Sequence, residues 1–271
     1  MTATILETLL EAIRLDQPAA LLTEVQGPAP GAKSLVTPAL TMGSLGDRAL
    51  DRAATGDALS MLVQGATGIR HYGTHGEERG DAVEVFVQSF APPPRMYVFG
   101  AIDFSRATVR MGKLLGYKVT VCDARSAFAT RARFPEADEL VVMWPHEFLA
   151  TAAVDERTVL CVLTHDPKFD VPLLKAAVKT PAAYIGAMGS RQTHRDRIQR
   201  LQAAGATTSE LARICGPIGL DIGARTPEEV AVAIGAEIVA LRYGRPAPSL
   251  SRRSGPIHQQ AAVRSGSVVN G

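Results

Sequence analysis

The stretch from Arg95 to Arg125, RMYVFGAIDFSRATVRMGKLLGYKVTVCDAR, limits the possible fold more than any other part of the chain. Met96–Phe99 is a short apolar run, the pattern of a strand buried on both faces. Gly100 ends it. From Asp103 onward, Phe104, Ala107, Met111, Leu114 and Leu115 recur at three- and four-residue steps, which places them on one side of a helix. Gly116 stops that helix. Tyr117, Val119 and Val121 then alternate as a second strand, with Asp123 at its end. Strand, tight turn, helix, strand and acid form the opening of a dinucleotide-binding βαβ unit. Asp123 follows Gly100 by 23 positions, close to the motif's offset of about 20.

The glycine code is altered. Where the motif places its three glycines, this chain has Gly100, Ile102 and Ser105. A glycine at the second place lets backbone approach a pyrophosphate, and Ile102 puts a β-branched side chain there. Asp103 adds a negative charge at the phosphate turn, or caps the helix. A Rossmann-like fold is therefore expected, with NAD(P) binding in the usual pose weak or absent.

The rest of the chain extends this pattern. Glu139–Met143, Val159–Leu163 and Ala182–Ile185 read as further strands; 146–153, 167–178 and 191–204 read as helices between them. Thr226-Pro-Glu-Glu229 opens a last helix with a capping box and a proline in its first turn, and Val230, Ile234, Ile238 and Leu241 are its expected buried face. Before Pro92-Pro93-Pro94 the pattern differs. A helix over 4–15, strands at 19–25, 33–37, 59–63, 69–72 and 83–88, and a short helix at 47–54 suggest a small α+β region. The fold class is α/β: a Rossmann-like parallel sheet domain over 94–245, preceded by a small α+β domain over 1–91. A Pro/Ser/Gly/Arg-rich tail over 246–271 is expected to be mobile.

Composition excludes several functions. With 271 residues and 46% hydrophobic content the chain can bury a sizeable core, and no run of 18 apolar residues marks a membrane span. The N-terminus lacks the basic region and cleavage site of a secretory signal. Cys122, Cys161 and Cys215 are few and scattered, which fits a reducing cytoplasm and no zinc site. Net charge is +2; the last 28 residues hold four of the 29 basic residues and no acid, leaving 25 basic against 27 acidic elsewhere. That balance gives no case for nucleic-acid binding.

Ligands of open α/β sheets bind at the carboxyl ends of the strands. The candidates there are Gly100 and Asp103 at the first turn, Asp123 and Arg125 after the second strand, His165 in Thr164-His165-Asp166, and Gly186, Gly189, Ser190 and Arg191. Asp123 suits a ribose hydroxyl, and Arg125 suits a phosphate. His165 can donate to a ligand or act as acid or base; alternatively its tripeptide is a polar turn in which Asp166 caps the next helix. Gly186-Ala-Met-Gly-Ser-Arg191 is the best anion site, because freed backbone, a helix N-terminus and Arg191 converge. The loop Gly216–Glu229 is a second candidate site wall. His71 and His75 flank a glycine-rich turn and read as loop residues, and no catalytic residue is assigned.

FGA at 99–101, LGYKVTVCDAR at 115–125, ARFPEADELVV at 132–142, LTHDPKFD at 163–170, AAYIGAMGSR at 182–191 and GPIGLDIGARTPEEVAVAI at 216–234 together resemble one family. It is the XdhC/CoxI group of xanthine dehydrogenase accessory proteins. Gly43–Asp51, GSLGDRALD, lacks that family's glycine-cysteine-acidic signature. The resemblance implies a cytoplasmic maturation factor that holds the molybdenum cofactor (molybdopterin), protects it during sulfuration and delivers it to an apo molybdenum hydroxylase. A xanthine or carbon monoxide dehydrogenase is the implied client. A cysteine desulfurase and a second copy of the chain are further implied partners. The alternatives are an NAD(P)-dependent oxidoreductase and a non-catalytic regulatory protein without a ligand.

Overall fold

The computed structural model describes residues 4–77 and 80–252. Its elements in chain order are α1 (Ile5–Arg14), β1 (Ala19–Gln26), β2 (Lys33–Val36), β3 (Thr41–Gly43), α2 (Arg48–Gln64), β4 (Gly68–Tyr72), β5 (Val83–Phe90), β6 (Arg95–Phe99), α3 (Asp103–Leu114), β7 (Lys118–Cys122), β8 (Glu139–Val141), α4 (Pro145–Thr151), β9 (Val159–Val162), α5 (Pro167–Ala177), β10 (Tyr184–Ala187), α6 (Arg191–Ala203), α7 (Thr208–Leu211), β11 (Ile214–Cys215) and α8 (Pro227–Arg242). A short 3-10 turn follows at Leu250–Arg252, and the expected mobile tail lies, from residue 253 on, outside the described residues.

The first five strands form an antiparallel sheet in the order β3-β2-β1-β5-β4. The side chains of β1 alternate between its faces. Ala20 and Leu22 face α2 together with Val83, Val85 and Val87; Ala19 faces α1 with Leu35. One expectation is overturned here. Leu59–Val63 is not a strand but the last part of α2, a 17-residue helix. Leu50, Ala54, Ala58, Met61 and Leu62 supply its buried stripe at helical spacing, Asp47 caps its start, and Gly65 closes it at φ 64°. β3 was not expected.

The six later strands form a parallel sheet in the order β11-β10-β9-β6-β7-β8. Counted from β6, the order is that of a dinucleotide-binding sheet, and the direction reverses between β6 and β9. β6 is buried on both faces, as its apolar run requires. Met96 and Val98 join the core under α3 and α8, whereas Tyr97 and Phe99 join the core under α4, α5 and α6. The register aligns Phe99 with Cys122 on one side and Val162 on the other, so the turns that follow these strands emerge side by side.

The buried faces of α3 and α8 differ from expectation. Leu114 is 86% exposed and Leu241 51% exposed. Ala107 of α3 and Ile234 and Ile238 of α8 are buried as expected, joined by Ser105, Thr108, Val109 and Gly112 on α3 and by Ala231, Ala233 and Gly235 on α8. The cause is close approach: a Cβ at Gly112 would lie 2.6 Å from the Met96 sulfur, and one at Gly235 would lie 2.7 Å from the Met111 sulfur. Small residues let these helices sit close to the sheet and to each other, which pushes the larger leucines outward.

The antiparallel sheet docks at the amino-terminal ends of the parallel strands. Arg157, just before β9, donates from Nη1 to the Pro92 carbonyl at 2.9 Å, and Gly65 lies against its Nη2. Arg95 at the start of β6 pairs with Asp155 at 3.0 Å in the same junction.

Candidate functional site

The turn after β6 is closed by its own side chains. Gly100 has φ 99°, and a Cβ there would lie 2.7 Å from Thr164 Cγ2, so the crevice between β6 and β9 is filled at this level. The Ala101 N–H donates to Asp123 Oδ2 at 2.7 Å, and the Ile102 N–H donates to Ser105 Oγ at 3.3 Å. The Ser105 hydroxyl in turn donates to the Gly100 carbonyl. The N–H groups that a dinucleotide would need are therefore engaged within the protein. Asp103 is the first residue of α3 and not its cap, which corrects the expected capping role; Ile102 occupies the cap position and has no oxygen to offer. The Asp103 carboxylate is exposed and pairs with Arg133 at 3.2 Å.

Asp123 is 2% exposed and has no free oxygen. Beyond Ala101, it accepts from the Arg125 N–H and Nε, both at 2.9 Å, and from Arg125 Nη2 at 2.8 Å. Burial raises its pKa, but the Arg125 side chain and the two backbone N–H groups outweigh burial and hold the carboxyl below its usual range. The Arg125 guanidinium also stacks 4.5 Å over the Phe128 ring. In this arrangement Asp123 braces the first turn.

His165 is exposed after β9, and Asp166 beside it caps α5 by accepting from the Lys168 N–H at 3.1 Å. Below it lies a buried relay that the sequence reading missed. The Thr164 hydroxyl donates to Asp170 Oδ1, Arg197 Nη2 donates to Asp170 Oδ2 at 2.9 Å, and the same nitrogen donates to the Met188 carbonyl at 2.7 Å. It joins the turn after β9 to the turn after β10 through α5 and α6. Burial outweighs the Thr164 and Arg197 bonds and lifts the Asp170 carboxyl above its usual range. Its sequence signal was an acid inside an apolar helical face, Phe169-Asp170-Val171-Pro172-Leu173-Leu174.

The expected anion turn divides in two. Gly186 is not part of the turn. It lies within β10, buried, and its missing Cβ makes room for Ile218, which would otherwise be 2.5 Å away. Gly189 is in the turn, with φ 144°, a conformation that strongly favours glycine. Ser190 caps α6 by accepting from the Thr193 N–H at 3.0 Å. The His194 N–H bonds the Ser190 carbonyl, whereas the N–H groups of Arg191 and Gln192 have no partner among the described residues.

Those two N–H groups stand at one end of a cleft of about 560 Å³. Its opposite wall is the loop 217–224, with Ile218, Leu220 and Ile222 presenting apolar surface, and Val230 of α8 completes it. The Arg191 guanidinium reaches across to Asp221 at 3.4 Å; both side chains are about four-fifths exposed, at 79% and 84%. Gly100, Asp123, Arg125 and His165 lie along the same sheet edge but do not line this cleft. Glu237 Oε2 fixes the loop from below by accepting from the Gly219 N–H at 2.9 Å and from the Tyr184 hydroxyl.

Burial pushes all three thiols up: Cys122 and Cys161 to about 12, Cys215 to about 11. Among the described residues no group of three or more His, Cys, Asp or Glu is placed to hold a metal ion, and no helix is long and apolar enough to cross a membrane.

Comparison with known proteins agrees with this architecture. Residues 96–238 match the XdhC Rossmann domain, and residues 12–73 match the XdhC and CoxI family. A probable xanthine dehydrogenase subunit of Bacillus subtilis is 32% identical over 58% of this chain and 46% of its own length. The molybdenum cofactor insertion chaperone PaoD of Escherichia coli K12 is 28% identical over 58% of this chain and 43% of its own. YqeB of Escherichia coli K12 is 29% identical over 72% of this chain and 36% of its own. The chain thus spans between a third and a half of the length of these relatives. A crystal structure of a xanthine dehydrogenase from Bacillus halodurans shares the fold, with a TM-score of 0.51 at 19% identity, over 88% of this chain and 96% of that one. The chain is a member of the XdhC and CoxI family.

Proposed function

We propose that this chain is a cytoplasmic accessory factor that binds the molybdenum cofactor, shields it and passes it to an apo molybdenum hydroxylase of the xanthine or carbon monoxide dehydrogenase type. The family and the relative named as a cofactor insertion chaperone support the role. The observation that carries it is the cleft of about 560 Å³ between α6 and the loop 217–224. Its donor set fits the cofactor's phosphate: two unpartnered N–H groups at a helix N-terminus, the Ser190 hydroxyl and the Arg191 guanidinium. Its apolar wall fits a planar ring. Asp221 opposes an anion there, but an exposed pair with Arg191 is weak, so an arriving phosphate displaces it at little cost.

Bound cofactor supplies the redox centre of the client enzyme; the chain's own residues hold and shelter it. A partner cysteine desulfurase would carry out the sulfuration, since burial raises all three thiols here and disfavours the reactive thiolate. The NAD(P)-dependent reading is disfavoured by the engaged Ala101 and Ile102 N–H groups. Arg191→Ala removes a charge-assisted hydrogen bond of about 1.5–3 kcal/mol, so cofactor affinity should fall roughly 10- to 100-fold. Gly189→Val should weaken binding at least as much, because φ 144° is closed to valine and the turn must move. Fluorescence titration with molybdopterin cofactor, with circular dichroism to confirm folding, measures both. Parent-like affinity in two folded variants would place the cofactor elsewhere, and absence of cofactor binding by the parent would favour the regulatory alternative.

A further inference from the structure

A second cavity, of about 280 Å³, lies at the opposite end of the parallel sheet, where the two sheets meet. Val159, Ala183 and Ile238 make its apolar floor, and Val63 at the end of α2 closes it from the other unit. Two guanidinium groups flank it. Arg242 donates from Nη2 to the Tyr117 hydroxyl and stands 5.3 Å over that ring. Arg157 is half-buried and spends Nη1 on the Pro92 carbonyl.

Neither arginine has an ion pair among the described residues. The nearby Asp155 is taken by Arg95, and Glu156, at the exposed rim, pairs with neither. Elsewhere the half-buried or buried Arg95, Arg133 and Arg197 pair with acids, and Arg213 donates to the Val178, Thr180 and Ala182 carbonyls. Here two like charges, a half-buried one on Arg157 and an exposed one on Arg242, flank one cavity. Burial, with Arg242 adding to it, pulls the Arg157 pKa down, against the opposing pull of Asp155. An oxyanion between them would remove that repulsion and match the planar donor forks of both side chains. The volume lies just below the range of about 300–1,000 Å³ that holds drug-sized ligands, so the body attached to the anion is small.

We propose that this cavity binds a compact organic oxyanion, a carboxylate or phosphate monoester on an apolar body, clamped between Arg157 and Arg242. Because Val63 and Gln64 come from one unit and the arginines from the other, the ligand bridges the two sheets. The full chain is titrated with benzoate, phenyl phosphate and neutral benzamide by calorimetry and thermal melting. The expected result is saturable one-to-one binding of at least one anion, with benzamide at least ~10-fold weaker, since it lacks the charge that strengthens the hydrogen bonds. Benzoate without phenyl phosphate assigns a carboxylate; the reverse assigns a phosphate ester. Arg242→Met and Arg157→Met should each weaken binding about 10- to 100-fold, and Val63→Trp should fill the space and abolish it. Arg242→Met decides the matter if Arg157→Met loosens the junction. Equal binding of benzamide, unchanged binding in Arg242→Met, no saturable binding of either anion, or loss of binding in Arg191→Ala would each overturn the proposal, the last by placing the probe in the cleft.

Discussion

Replacing Asp123 tests whether it braces the first turn. Asp123→Ala removes the acceptor of the Ala101 N–H, and Ala101 is 1% exposed. A buried N–H left without a partner costs about 1–3 kcal/mol. The Arg125 guanidinium is 45% exposed, keeps its contact with Phe128 and turns to water, so its loss adds only about 0–1 kcal/mol. The sum is about 1–4 kcal/mol, which in a chain of this length lowers the melting temperature by roughly 2–4 °C per kcal/mol. Asp123→Asn retains one acceptor for Ala101 and should cost less. Urea unfolding at a series of pH values measures both. The native carboxyl titrates below its unfolded value, so its contribution is fully present above the unfolded pKa of about 3.9 and is lost as pH falls through the native value. The gap between parent and Asp123→Ala should stay constant from pH 7 to about 5 and narrow only below about 4. A gap under about 0.5 kcal/mol at pH 7, within the scatter of ordinary surface substitutions, or one that closes between pH 5 and 7, refutes the bracing role.

NADH and NADPH should bind weakly or not at all at low salt, because the Ala101 and Ile102 N–H groups are engaged; fluorescence titration giving micromolar affinity contradicts this. In the native state Cys122, Cys161 and Cys215 should react with a thiol reagent at pH 8 far more slowly than in urea, since burial keeps them protonated; a fast native phase identifies an error in that assignment. We infer that Pro92–Pro94 divides two folding units, so residues 94–245 expressed alone should give a cooperative melt. A molten fragment would show that the two sheets share one folding unit.

Much of the parallel-sheet unit was legible because its information is local. Met96–Phe99 is apolar at every position, which fits a strand covered on both faces, and the glycine that follows it bounds the run at strand length. Ser190, Asp166 and Thr226 cap helices where their side-chain chemistry indicates. What failed depended on contacts distant in sequence. Leu59–Val63 looks like a strand in isolation, and only its continuity with the Leu50–Ala58 stripe shows a helix, one that carries Gly56 in its interior. Leu114 and Leu241 looked buried because size was read as burial, yet the close approach of α3 and α8 selects glycine and alanine. Gly186 looked like turn chemistry; its role is to admit Ile218 from 32 residues away. The Asp170–Arg197 pair was invisible for the same reason, since a buried ion pair is set by which helices meet. At the candidate site, the caps and the turn glycine were readable, whereas the cleft depends on how the loop 217–224 folds back over β10.

The placement of the antiparallel sheet at the Arg95–Arg157 end of the parallel strands has a consequence for exchange. The unit that could have served as a lid is fastened at the far side, and none of its described residues lines the cleft by α6. On the proposed function, a cofactor held there would be sheltered, among the described residues, by one wall of loop, one helix end and Val230 of α8. If the proposed function holds, hand-over would need no swing of one unit against the other, since a recipient surface could meet the cleft edge-on. The rate of transfer would then be governed by encounter with the recipient and by release of the anion from Arg191.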